Sequence, residues 1–123
     1  GDLKEFELAD VKILSEKVPL VKGTVNNGGS NIYELATQNG AKVMVVAENT
    51  NNNNKEFFEF GVIDNGTDIF HTEYGNVRTG EQLIVPTFEK TASGFARVNF
   101  DIGSSVTAGH NVVVTIVSNI NKK

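Results

Sequence analysis

The chain has 123 residues, 39% of them apolar and 21% charged, which suits one domain spanning 1-123 with a single buried core. A formal net charge of -4, with Lys and Arg scattered, supplies no cationic field for phosphate backbones, so no nucleic-acid partner is expected. The absence of cysteine removes disulfides, thiolate nucleophiles and cysteine-ligated metals, and no apolar run reaches the roughly eighteen residues that span a bilayer, so no membrane partner is expected either.

Residues 1-17 form an uncertain lead-in. Leu3, Phe6, Leu8, Val11, Ile13 and Leu14 fit a helical period only in part, and the later half reads as a strand or irregular segment. From there the chain is a succession of short runs rich in Val, Ile, Phe, Thr and Tyr, each closed by Gly or Asn. Leu20 to Val25 and Asn31 to Ala36 are expected strands, and Asn26-Asn27-Gly28-Gly29 and Gln38-Asn39-Gly40 after them have the composition of hairpin turns. Lys42 to Ala47 is mostly apolar and is expected at the centre of a sheet.

The amide-rich run from Asn49 to Lys55 offers no apolar face and is expected to be an exposed connector, with a recognition tip as its functional alternative. Phe57 to Ile63, the turn Asp64-Asn65-Gly66-Thr67 and the return Asp68 to Tyr74 form the clearest hairpin. Leu83 to Phe88 carries Pro86, which lacks a ladder donor and so belongs at a sheet edge or bulge. Gly94 to Ile102 and Asn111 to Ile120 complete about eight strands. Such a series predicts an all-β fold, an antiparallel two-sheet β-sandwich of jelly-roll-like type.

Chemistry is sparse. His71 and His110 are the only imidazoles, and neither sits in a nucleophile motif. His71 and Glu73 share one face of a strand, so a cupin-like metal would need them together with His110; a solvent-facing pair and a turn residue explain them without metal. We therefore expect no catalytic, metal or cofactor-binding residue and no cofactor. Without Trp, an aromatic platform for sugar would have to come from Phe57, Tyr33 or Tyr74.

From Tyr33 onward the order of elements resembles a small β domain of tailed-bacteriophage virion structural proteins, of the marine or cyanophage type. The segments that carry the resemblance are Ala41-Lys42-Val43-Met44-Val45, Phe58-Glu59-Phe60-Gly61-Val62-Ile63 with its turn, Ile69 to Gly75, Thr79-Gly80 and Ala96-Arg97-Val98-Asn99-Phe100. The resemblance implies a non-enzymatic virion module of a tail, fibre, baseplate or capsid decoration, acting by subunit contact or surface attachment. It implies a homo-oligomer, a trimer above all, or contact with other virion proteins. One member of the Phe57 and Phe58 pair would then lie at an interface. The alternative is a secreted or cell-surface carbohydrate-binding or adhesion module of a bacterium, for which a glycan is the partner.

Overall fold

Residues 3–23, 27–34 and 38–122 are described by a computed structural model of the chain. Their period-two alternation is realised as nine strands: β1 (Leu3–Glu7), β2 (Val11–Val21), β3 (Asn27–Glu34), β4 (Gln38–Asn49), β5 (Lys55–Asp64), β6 (Ile69–Arg78), β7 (Ile84–Lys90), β8 (Phe95–Ile102) and β9 (Asn111–Lys122). They form two antiparallel sheets. The larger has the order β1-β2-β9-β4-β5-β6, and the smaller has β3-β8-β7.

β5, β8 and β9 alternate almost perfectly between buried and half-exposed residues. Their inner positions, with those of β4, supply the core: Val43, Val45, Phe58, Phe60, Phe100 and Val114 are all essentially inaccessible. Complete burial of one such side chain is worth about 1.5–3 kcal/mol. Phe60 meets Phe88 of the facing sheet edge-on, with centroids 4.7 Å apart. That geometry suits the aromatic quadrupoles and ties the two sheets together.

The structure corrects the reading of the first third of the chain. The lead-in is a hairpin, with Glu7 opposite Lys12 in the β1–β2 ladder. β2 then pairs with β9 along its whole length, from Val11 opposite Asn121 to Val21 opposite Asn111. The strand expected over Leu20 to Val25 is in fact the end of β2, which turns at Lys22 and Gly23; Gly23 has φ +92°, a left-handed conformation that glycine reaches without strain. Part of that expected strand, and residues 35–37 after β3, lie outside the described residues. Asn27-Gly28-Gly29 and Gln38-Asn39-Gly40 open β3 and β4, and the chain changes sheets on either side of β3.

The central position of β4 and the edge position of Pro86 in β7 follow the sequence reading. Pro19, within β2, lies beyond the stretch that β1 covers. The missing N–H is tolerated best at such an uncovered position.

Candidate functional site

The larger sheet turns one face to the core and the other outward, and the registers of β9, β4, β5 and β6 define the outward rows. Val117, Met44, Glu59 and Tyr74 form one row, and Thr115, Val46, Phe57 and Val77 another. Asn119, Lys42, Gly61 and Thr72 form the next, followed by Asn121, Gly40, Ile63 and Phe70. Met44, Val46, Ile63, Phe70, Tyr74 and Val77 are all 40% exposed or more. Isolated exposed apolar groups are ordinary on a soluble surface, but six on adjacent strands form a patch of the kind that marks contact surfaces. Of the paired phenylalanines, Phe58 is buried and Phe57 lies on this outer face.

Two glycines open a groove in the patch. Gly40 contributes no side chain where Val11, Lys42, Ile63, Asp64, Asn119 and Asn121 surround an open recess of about 630 Å³, and Gly61 contributes none to the recess beside it. An adjoining recess of about 390 Å³ continues past Ile63 to Phe70 and Thr72. A Cβ on Gly61 would meet nothing within 4 Å, so its absence is what keeps the floor low. Lys42 is held to Glu59 by a salt bridge of 3.3 Å on this solvent-facing surface. The groove combines amides, one carboxylate, one paired ammonium and apolar walls. Amides, charged groups and apolar walls of this kind can hold a ligand.

The amide-rich loop at one end of the sandwich is cross-linked by its own side chains. The buried Asn49 places its Nδ2 3.0 Å from His110 Nδ1 and accepts the Asn51 N–H. Asn51 in turn accepts the N–H of Asn111 at 2.7 Å. Asn52 and Asn54 both donate to the Glu81 carboxylate. Glu81 is held below the usual carboxylate range by its own backbone N–H and then by the Asn52 amide. Because these amides are engaged within the protein, the connector reading of Asn49 to Lys55 fits the geometry.

The sequence-nominated metal set does not converge. His71 faces inward from β6 opposite Val62 and stacks on Phe88, with centroids 3.8 Å apart, and Glu73 follows on the same face. His110 sits beyond the other end of β5, against Asn49. Among the described residues no group of three His, Asp or Glu is placed to hold a metal. Of the nominated aromatics, Tyr33 is buried, whereas Phe57 and Tyr74 occupy adjoining rows of the outer face.

Sequence reasoning missed Glu56, the one fully buried carboxylate among the described residues. Its Oε1 accepts the N–H groups of Leu83, at 2.9 Å, and Ile84, while Arg78 Nε donates to Oε2 at 2.9 Å. The available signal was its inward parity with Phe58 and Phe60, which makes a charged residue at that position anomalous.

No protein-family model matches the sequence, and neither does any curated protein. Solved structures do share the fold, among them three phage tailspike proteins. The tailspike of Acinetobacter phage vB_ApiP_P1 superposes with a TM-score of 0.53 at 17% identity over 89% of this chain and 22% of its own. The tailspike of Acinetobacter baumannii phage AM24 gives 0.54 at 12% identity over 92% of this chain and 26% of its own. That of Acinetobacter baumannii bacteriophage Fri1, a capsular polysaccharide depolymerase, gives 0.55 at 12% identity over 99% of this chain and 21% of its own. The chain thus spans about a fifth to a quarter of these proteins and has the fold of one portion of a phage tail protein. The resemblance to a virion structural domain drawn from the sequence is supported by these neighbours.

Proposed function

We propose that the chain is a non-enzymatic, virion-associated module of a phage tail or related assembly, and that it works by contact between protein surfaces, its own copies included. The observation that carries this reading is the apolar outer face of β4, β5 and β6. A rigid sandwich that leaves Met44, Val46, Tyr74 and Val77 in water has a surface built for a partner. The shared fold with a portion of three tailspikes supports a place in a tail.

Light scattering on the size-exclusion eluate at several concentrations tests it. Self-association above the 13.3 kDa monomer is expected, and Tyr74→Lys, on the outer face of β6, should diminish it. A monomer at every concentration would overturn self-contact. A second reading, glycan attachment, is favoured by the polar groups of Lys42, Asp64, Asn119 and Asn121 around the Gly40 recess, and saturable binding of a defined oligosaccharide by a strict monomer would bring it forward.

A further inference from the structure

Building on the reading of self-contact, we infer that two copies of this chain join edge to edge through β6, in antiparallel register with Thr72 on a two-fold axis. β6 ends the larger sheet, and among the described residues no strand pairs with its outer edge. Its residues from Phe70 to Arg78 are all exposed, Phe70 and Tyr74 prominently so. A long exposed edge with apolar side chains invites another strand.

The register follows from backbone parity. In an antiparallel ladder alternate residues direct both N–H and C=O toward one neighbour, so the outward-directed groups of an edge strand all have the same parity. Ile69 to Tyr74 pairs with β5 without a register shift, so parity holds through that stretch. Two copies of one edge must then match odd with odd or even with even, which places the two-fold axis on a residue and not between two. An axis on Glu73 would set carboxylate against carboxylate, and one on His71 would set imidazole against imidazole.

With Thr72 on the axis, each pair from Phe70 to Tyr74 is complementary. Phe70 of each copy meets Tyr74 of the other on the outer face, His71 meets Glu73 on the inner face, and Thr72 meets Thr72. Aromatic pairs and a Thr pair are among the cross-strand combinations that stabilise antiparallel ladders, and an imidazole N–H can donate to a carboxylate opposite it. The segment Phe70-His71-Thr72-Glu73-Tyr74 is therefore a chemical palindrome, which commits the edge to a second copy of itself. Gly75, with φ +70° beside a register shift, ends the regular stretch just after the palindrome. The arrangement is two-fold, whereas the sequence resemblance implies a trimer, and the mass in solution distinguishes the two.

The protein has no cysteine, so single-cysteine variants of the full chain read the register directly. Opposed Cα atoms in such a ladder are about 4.5–5.5 Å apart, within reach of a disulfide. Thr72→Cys should form a covalent dimer under mild oxidation about tenfold faster than Phe70→Cys, whose copies would sit roughly 13 Å apart. Phe70→Cys mixed with Tyr74→Cys should form the crossed dimer. Light scattering of the untreated protein should give twice the 13.3 kDa chain mass. If Thr72→Cys crosslinks no faster than Phe70→Cys while the protein still associates, the β6 edge is overturned and self-contact through another surface stands. A monomer in light scattering overturns both.

Discussion

The carboxylate of Glu56 accepts the backbone N–H of Leu83 at 2.9 Å, although 27 residues separate them and both are buried. Leu83 lies where the chain has left β6 and is entering β7 of the opposite sheet. Backbone N–H groups at such a crossing have no ladder to join, and Glu56 receives two of them while Arg78 balances its charge. One side chain of the larger sheet thereby fixes where β7 begins.

Removing that acceptor should be among the most damaging single changes available. Glu56→Ala leaves two buried N–H groups unmet and is expected to cost about 3–5 kcal/mol. Arg78→Met, at a more exposed position, should cost less, about 1–3 kcal/mol. Urea denaturation with an unchanged m-value measures both, and a loss under 1 kcal/mol for Glu56→Ala would refute this role.

Two glycines should respond to alanine in opposite directions. A Cβ on Gly103 would press on the backbone carbonyl of Gln82, which cannot yield as a side-chain end can. Gly103→Ala is therefore expected to lose about 1–3 kcal/mol. Gly61 lies in β5 with open space at its Cβ position, so Gly61→Ala should gain about 0.4–1 kcal/mol by restricting the unfolded chain. The same change raises the groove floor, which thermal melts and a surface-contact assay would separate.

The parts of the fold that were legible in the sequence are those fixed by local alternation. Phe58, Phe60 and Val62 announced an inner face, and Asp64 to Thr67 announced its turn; both are found as expected. The lead-in was legible only in part, because Val11–Val21 becomes a strand through pairing with β9, about a hundred residues away, and β1 then pairs with β2; no local period reveals a distant partner. Asn-Gly and Gly-Gly next to β3 suggested hairpins because these dipeptides mark a permissive backbone, whether or not the chain stays in the same sheet. For the candidate surface, the parity of Phe57 and Phe58 showed that one had to face away from the core. Which rows assemble around it depends on the β9–β4–β5–β6 order, which only the structure supplies.

The amide clasp makes a graded prediction. Asn49 is fully buried, and its side chain joins His110 to the Asn51 backbone, so Asn49→Ala is expected to cost about 1–3 kcal/mol. Asn52 is exposed and bonds an accessible carboxylate, so Asn52→Ala should stay within about 0.5 kcal/mol. Equal losses at the two positions in chemical denaturation would contradict a clasp centred on Asn49.

The last prediction concerns alkaline stability. Tyr33 is buried, its hydroxyl has no hydrogen-bond partner among the described residues, and burial, aided by the negative charge of Asp64, pushes its pKa up to about 12. The phenol is neutral when protonated, and the folded state retains that proton above pH 10, where the unfolded chain gives it up. Between about pH 10 and 12 the unfolded state thus binds fewer protons, and stability must fall as pH rises. A shift of about two units corresponds to roughly 2–3 kcal/mol lost across that window. Tyr33→Phe removes an unpaired buried hydroxyl and the titration together, so it should match or exceed the wild type at neutral pH by up to about 1 kcal/mol. It should also flatten the alkaline decline. Urea midpoints from pH 8 to 12, with absorbance titration of the two tyrosines, measure this directly, and equal slopes for the two proteins would contradict a buried, proton-retaining Tyr33.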